Sequence, residues 1–283
     1  RWPFWIGNTG RFASECAVVL TGHGGDELFA GYQVFKALML RQAASTSIAS
    51  FVAALKLVRK DEWTRVLYYL LAPMVYPEVS HGLFVMNAKN QRTKRFTGEF
   101  LSTFDAFEPI EQVRQIVEAE TFDPAEALLA LYLKTYLPTL LVQEDKMGMA
   151  HSLEARMPLC DNAMIDLALE VPINLKMHLG NLKAIPKAAM AGTLPAPLFE
   201  LPKRGFPTPF AKWFRAEPLR SFMEDLLFSQ RSRERGIHNP KYVQKLWRRN
   251  LFSQTDTLAD YARANRLYSI AVLEQWFRTF IDN

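Results

Sequence analysis

Residues 19–32 read VLTGHGGDELFAGY. The preceding run, Ala17-Val18-Val19-Leu20, is short, apolar and β-rich, and it stops at Thr21-Gly22. That pattern predicts a buried strand that ends in a turn. Gly22, Gly24 and Gly25 then permit tight backbone geometry and leave N–H groups free to face an anion. A helix starting at this turn adds a partial positive charge. Ligands of open α/β sheets bind just outside the carboxyl ends of strands, which is where this turn lies. Asp26 and Glu27 are odd partners for a bare phosphate, but they make sense if a divalent cation sits between carboxylate and phosphate. Mg2+ favours a few carboxylate oxygens together with phosphate oxygens and water. The alternative is that Asp26 merely caps the helix, as Asp commonly does. The residues alone leave both readings open.

Downstream of Gly31 the chain reads as largely helical, giving an α/β protein that is predominantly helical in the part present. Ile48–Val58 and Trp63–Leu71 carry apolar residues at mixed spacings of three and four. Pro73 and Pro77 are expected to break that pattern, and the polar, basic stretch Asn87–Thr97 reads as a loop or an exposed segment. Asp123-Pro124-Ala125-Glu126 has the N-cap acid, the first-turn proline and the capping-box acid of a helix start. Pro138 is expected to interrupt that helix. Asp161 caps another, Asn239-Pro240 opens one through Trp247, and a long last helix spans roughly Thr257 to Phe280. No second strand of a sheet is visible. The chain divides on this reading into 1–32 (strand, turn and helix with the acidic motif), 33–122 (helical) and 123–283 (helical, with phosphate and substrate loops).

The chain has 283 residues and is 49% hydrophobic, enough for a sizeable core. It shows no secretory signal pattern. Its two cysteines, Cys16 and Cys160, cannot staple a scaffold or hold zinc, and this fits a reduced, cytoplasmic compartment. Net charge is +5 and the pI about 9.1. The basic runs, such as Arg248-Arg249 and Arg231 to Arg235, are short and read as solvated faces, which weighs against nucleic acid as a partner. The first residue is Arg1, and the aromatic opening RWPFWIGNTGRF looks like packing material, so a fragment or processed chain is expected.

Residues 19–32 resemble the S-G-x-G-(G/S)-D-E-(L/V)-F-G-G-Y signature of the glutamine-dependent asparagine synthetase family. Glu144 to Asp161, EDKMGMAHSLEARMPLCD, resembles the family's D-(K/R)-x-x-M-x-x-S-x-E-x-R-x-P-F-L-D. Leu201 to Phe210, LPKRGFPTPF, resembles R-P-K-x-G-F-x-x-P. Leu175-Lys176 and Leu182–Met190 are similar to its L-K and T-K-Y-L-L-R-K-A-L segments. The blocks occur in the family's order; Gln33 to about Glu120 and the tail after Arg215 match only loosely.

The resemblance implies the C-terminal part of an adenine-nucleotide alpha-hydrolase-like (ATP-pyrophosphatase) synthetase domain. It implies a ligase that activates a side-chain carboxylate with ATP as an acyl-adenylate, then attaches ammonia released from glutamine by an N-terminal glutaminase domain. ATP and Mg2+ are the implied cofactors, an amino acid the acceptor, and a homodimer a compatible assembly; no membrane is implied. By position Asp26 is a Mg2+–pyrophosphate ligand with Glu27 supporting it. Lys203 is the cation beside the α-phosphate, and Lys183 and Lys187 are further phosphate-side cations. Asp145, Glu154 and Arg156 are substrate-side or structural, and Glu154 and Arg156 are placed to form an internal ion pair.

His23 departs from the family, whose third motif position is Glu or Asp in asparagine-forming members and Tyr in β-lactam-forming relatives. A histidine here can serve as base for the incoming amine or hydrogen-bond to the turn, and it puts aspartate as substrate in doubt. Ala30 replaces a glycine, read as a mild change. Pro186 and Ala188 depart from the L-L-R-K run, and Cys160 replaces Phe or Leu before Asp161. Neither an S-G-G-x-D-S loop nor a mature N-terminal Cys occurs in the sequence, so this chain alone is expected neither to hydrolyse glutamine nor to form an adenylate. The competing readings are an amide-forming relative acting on a peptide or β-amino acid, and a noncatalytic helical module.

Overall fold

The structure is a computed structural model, and it describes residues 15–75, 89–103, 111, 113, 115, 123–177, 180–201, 208–253, 255 and 257–282. Its contacts divide the chain into two units. One comprises Arg1–Leu83 with Pro109–Arg204; the other comprises Phe84–Glu108 with Gly205–Asn283.

The first unit is built around the strand read from the sequence, β1 (Val18–Leu20). Its partner is a strand that the sequence did not reveal, β2 (Glu154–Arg156), which runs parallel to it with Val18 opposite Glu154 and Leu20 opposite Arg156. Thr21 N–H donates to the Arg156 carbonyl at 2.9 Å, and this bond extends the ladder to the edge of the glycine turn. β2 is short and charged at both ends, so no apolar alternation marks it. Side chains two apart share a strand face, and Arg156 Nε there donates to Glu154 Oε1 at 2.8 Å. β1 was expected to be buried, yet Val18 is 40% and Leu20 69% exposed. Among the described residues β1 has one strand neighbour.

Helices follow: α1 (Gly25–Leu28), α2 (Val34–Thr46), α3 (Ile48–Leu55) and, after a 3-10 turn at Lys60–Glu62, α4 (Trp63–Val75). Pro73 does not break α4 as expected. A proline in a helix strands the carbonyl four residues before it. Here that carbonyl, on Tyr69, accepts from the Arg41 guanidinium at 2.9 Å, and Leu70 accepts at 3.2 Å. The donor lies on another helix, so the sequence of α4 alone could not show it. Pro77 lies outside the described residues.

In α7 (Pro124–Leu131) the Asp123 carboxylate accepts from Ala125 N–H at 2.8 Å and Glu126 N–H at 3.1 Å. The expected interruption at Pro138 is instead a π turn, Tyr132–Tyr136, that carries α7 directly into α8 (Leu137–Met149). Leu137 N–H reaches back to the Tyr132 carbonyl, five residues earlier. The wider turn accommodates a proline without stopping the helix. The continuous helix Pro124–Met149 is long and apolar enough, by length and composition, to cross a bilayer. Its first half is packed inside the unit, with Leu128, Leu129, Leu131 and Tyr132 buried against Val34 and Phe35 of α2.

Within the same unit lie α9 (Asn162–Glu170), capped by the Asp161 side chain on Ala163 N–H at 2.9 Å, then α10 (Ile173–Lys176), α11 (Ala184–Ala189) and α12 (Pro197–Glu200).

The second unit is helical. It contains α5 (Lys89–Arg95), a helix where a loop or an exposed segment was expected, with Thr93 and Lys94 exposed on it, and α6 (Gly98–Ser102). The end of α5 is tied down through Asn239 N–H to the Arg95 carbonyl at 2.8 Å. Tertiary contact thus overrides a polar sequence with no apolar stripe. The remaining helices are α13 (Phe210–Trp213), α14 (Leu219–Phe228), α15 (Gln230–Glu234), α16 (Pro240–Leu251) and α17 (Leu258–Phe280). Phe214, Leu226, Trp247, Leu267 and Ile270 form their core. Asn239 caps α16 at Lys241 N–H, and Thr257 with Asp260 makes a reciprocal capping box on α17.

Candidate functional site

The turn after β1 is shaped by contacts that leave Gly24 little freedom to be anything else. Gly24 has φ +89°, and a Cβ there would lie 2.6 Å from Cys160 Sγ. A Cβ on Gly31 would lie 2.0 Å from Asp26 Oδ1, so the far end of the motif also closes over the acid. Gly31 N–H donates to the Asp26 carbonyl at 2.8 Å.

Asp26 faces Lys183, with Oδ1 3.0 Å from Nζ. Lys183 reaches it because its own N–H donates to the Phe29 carbonyl at 3.2 Å, which docks the start of α11 on the end of the motif. Lys183 holds φ +56° there, a left-handed conformation that costs a non-glycine residue about 1–2 kcal/mol. Lys187 lies one turn further along α11. Burial first, and then the charges of Lys183, Lys36 and Arg59, pull its ammonium below the usual lysine range, with Glu62 opposing. Lys36 is itself paired with Glu62, and Arg59 with Asp61.

Glu27 points into the fold. It is 2% exposed and accepts a hydrogen bond from the Tyr32 hydroxyl. Tyr32 packs on Tyr132 and Tyr136, with ring centres 4.8 and 5.9 Å away. Burial, then the Glu27 contact, push its hydroxyl far above the ordinary tyrosine range.

On the other flank of the turn, His23 Nδ1 lies 2.5 Å from Glu144 Oε2. The Thr21 hydroxyl lies 3.1 Å from the same ring nitrogen and donates to the same carboxylate at 3.3 Å. The Cys160 thiol donates to the His23 carbonyl at 3.4 Å. The Glu144 hydrogen bond raises the His23 pKa; burial opposes it, and the charges of Glu144 and Glu27 add to the rise. The same burial, followed by the charges of Glu27 and Glu144, pushes the Cys160 thiol up, which makes it a poor nucleophile.

Among the described residues no group of three or more His, Cys, Asp or Glu side chains could cage a metal. What the turn offers is one partly exposed carboxylate, Asp26, beside lysines. That suits an ion whose other ligands are phosphate oxygens and water, and it does not suit a dedicated protein cage.

The family model for asparagine synthase matches residues 9–278. The chain belongs to the asparagine synthase family. It is 22% identical over 272 residues to asparagine synthetase [glutamine-hydrolyzing] 1 of Bacillus subtilis (strain 168), covering 94% of this chain and 41% of that protein. It is 30% identical over 211 residues to a putative asparagine synthetase [glutamine-hydrolyzing] of Mycobacterium bovis (strain ATCC BAA-935 / AF2122/97), covering 71% of this chain and 31% of that protein. The chain thus spans less than half the length of these relatives.

In this asparagine synthase family chain the residues singled out from the sequence separate into two sets. His23, Gly24, Gly25, Asp26, Glu27 and Lys183 gather around the turn, and Lys187 lies one turn beyond Lys183 on α11. Gly22 borders it, and a Cβ there would meet nothing within 4 Å. Asp145 is exposed on α8, and Glu154 and Arg156 are exposed and joined to each other on β2. Lys203 falls in residues 202–207, outside the described residues. The residue that sequence reading missed is Glu144. The signal was there: Leu137, Leu140, Glu144 and Gly148 recur at helical spacing on one face of α8, and that phase turns Glu144 inward and Asp145 outward.

A pH dependence follows from the His23–Glu144 contact. A histidine whose folded pKa is raised above its unfolded value of about 6.5 stabilises the fold fully below that unfolded value. The stabilisation is lost as pH rises through the folded value. The stability gap between the parent and Glu144→Gln is therefore expected to be widest near pH ~6 and to close as pH rises past the folded His23 pKa. Urea denaturation of both proteins across that range checks this, and a gap that widens with pH contradicts it.

Proposed function

We propose that this chain carries the nucleotide and acceptor side of an ATP-dependent amide ligase working through an acyl-adenylate in an adenine-nucleotide alpha-hydrolase-like domain. The observation that carries the reading is the Asp26–Lys183 pair at the end of β1, 3.0 Å apart, in a chain of the asparagine synthase family. An acid and a lysine converging on a strand's carboxyl end suit a polyphosphate and its counter-ion better than either residue suits alone.

In this reading Asp26 would hold Mg2+, and Glu27, held by Tyr32, braces α1 beneath it. Magnesium, when bound, supplies charge neutralisation for the departing pyrophosphate. Lys183 and Lys187 receive the phosphate chain, and Lys203 is assigned to the α-phosphate. A carboxylate of the acceptor attacks the α-phosphorus, and pyrophosphate leaves. A nitrogen nucleophile then attacks the acyl carbon, and AMP leaves. The first acceptor to consider is aspartate, with ammonia from glutamine supplied by a glutaminase domain, as the names of the relatives suggest. His23 favours a second reading. A base in place of an acid at that position suits an acceptor other than aspartate, such as a peptide or β-amino acid, on which the amine needs deprotonation.

The test is hydroxamate formation by the native protein with ATP, Mg2+ and hydroxylamine across a panel of acids. AMP and a hydroxamate from at least one acid are expected, and the responsive acid chooses between the readings. ADP in place of AMP would rule out the adenylate.

A further inference from the structure

We infer that the exposed face of α16 is a docking surface for an anionic phospholipid bilayer, where Lys241, Lys245, Arg248 and Arg249 meet the headgroups and Phe252 enters between them. The two basic runs of the sequence have different fates in the second unit. The run Arg231–Arg235 is taken up internally: Arg235 is held by Glu274 and by Asp282, each at 2.7 Å, and Arg231 lies 3.8 Å from Asp282. Arg248-Arg249 is not. The helix joins it to Lys241 and Lys245, and among the described residues no carboxylate pairs with any of the four. Residues 205–283 hold 13 Lys and Arg against 8 Asp and Glu, and Asp225, Asp260, Glu274 and Asp282 are already engaged by arginines outside α16. A positive excess remains, and α16 gathers four of its cations.

Successive helix residues are set about 100° apart, so the four cations and Phe252 fall within one arc of about 100°. The buried Val243, Leu246, Trp247 and Asn250 fall opposite. Phe252 keeps to the same spiral, because its N–H donates to the Arg248 carbonyl at 3.1 Å. It is 80% exposed and stands near the middle of the cationic arc. The inner side fixes the rotation of the helix. Trp247 Nε1 donates to Glu224 Oε1 at 3.1 Å, and Asn250 Nδ2 donates to the Ala211 carbonyl at 3.4 Å. The basic face therefore cannot roll inward.

Cations fixed on one face without an acid among them call for a polyanion. A nucleic acid strand is followed by a positive groove with several stacking aromatics. The face of α16 is instead a convex ridge about 16 Å long with a single phenyl at its crest. That shape suits a planar anionic surface that a ring can enter.

Co-sedimentation of the native protein with vesicles provides the test, and it needs no catalysis. Binding is expected to phosphatidylcholine vesicles that contain about a third phosphatidylserine, and not to phosphatidylcholine alone. Each cation at such a surface contributes roughly fivefold in affinity, so Lys245→Gln with Arg248→Gln should weaken binding about 25- to 30-fold. Arg231→Gln with Arg233→Gln removes the same charge from another helix of the unit and should weaken it only slightly. Phe252→Ala should weaken it roughly 3- to 10-fold, a loss that, unlike that of the cations, does not shrink as ionic strength rises. The melting temperatures of these surface variants should match that of the parent. Failure of the native protein to sediment with the anionic vesicles, or equal sedimentation with both kinds, overturns the inference. So do equal losses from the two charge-matched pairs, and tighter binding to a single-stranded oligonucleotide than to the vesicles.

Discussion

Replacing Asp26 by Asn in the native protein lowers acid-dependent release of pyrophosphate from ATP by about 100- to 1,000-fold, the scale on which single electrostatic contacts to a transition state act. The fold should scarcely register the change. Asp26 and Lys183 are partly exposed, at 24% and 34%, and ion pairs in that position contribute about 0–1 kcal/mol to stability. A large loss of rate with an almost unmoved melting temperature is the signature of a carboxylate kept for its ligand. Comparable losses of both would make Asp26 a structural acid. Lys183→Met should follow the same pattern, and its cost should appear in the KM for ATP as well as in kcat, because the lysine meets phosphate in the ground state too.

The largest effect on stability is expected at Gly24. Alanine there must hold φ near +89°, which costs about 1–2 kcal/mol, and must also displace Cys160 Sγ, which a Cβ would approach to 2.6 Å. Together these amount to roughly 2–4 kcal/mol, at the upper end of single substitutions. For a chain of this size that corresponds to a fall in melting temperature of roughly 3–7 °C. The two contributions can be separated. Cys160→Ala removes the sulfur but leaves the backbone strain, so the double variant should recover part of the loss and show a favourable coupling. Gly22→Ala is the control, because a Cβ there meets nothing within 4 Å. If Gly24→Ala and Gly22→Ala melt alike, the turn does not have the described geometry.

Much of the first unit was legible because local chemistry agreed with the final fold. The β1 run, the acidic turn and the caps at Asp123 and Asp161 each rest on a few adjacent residues, as does the helix start at Asn239-Pro240 in the second unit. What stayed hidden depends on partners far away in sequence. β2 is a strand because β1 lies beside it, not because Glu154-Ala155-Arg156 alternates. Pro73 is tolerated because Arg41 supplies the donor for the Tyr69 carbonyl. Pro138 is tolerated because the π turn before it widens the helix, and the end of α5 is tied down by Asn239 N–H on the Arg95 carbonyl.

At the site, the glycine turn and its two acids were readable as a ligand-binding element, but their division of labour was not. Asp26 meets Lys183 while its neighbour Glu27 is locked to Tyr32. His23 stood out as a departure from the family pattern, whereas Glu144 was passed over for Asp145 because sequence adjacency hides a turn of about 100° around a helix. Ala30 was read as a mild replacement, and the structure shows why a real strain is tolerated there. Its φ is +51°, a cost of about 1–2 kcal/mol. Its methyl is 0% exposed, and burying that group returns about 0.8 kcal/mol.

Transfer of oxygen tests acyl activation at this turn most directly. The native protein is incubated with ATP, Mg2+ and the responsive acid carrying oxygen-18 in its carboxylate, and the phosphate products are analysed by mass. One labelled oxygen in AMP, abolished by Asp26→Asn, is the expected result. Label in inorganic phosphate alongside ADP, or labelled AMP formed equally well by Asp26→Asn, would contradict it.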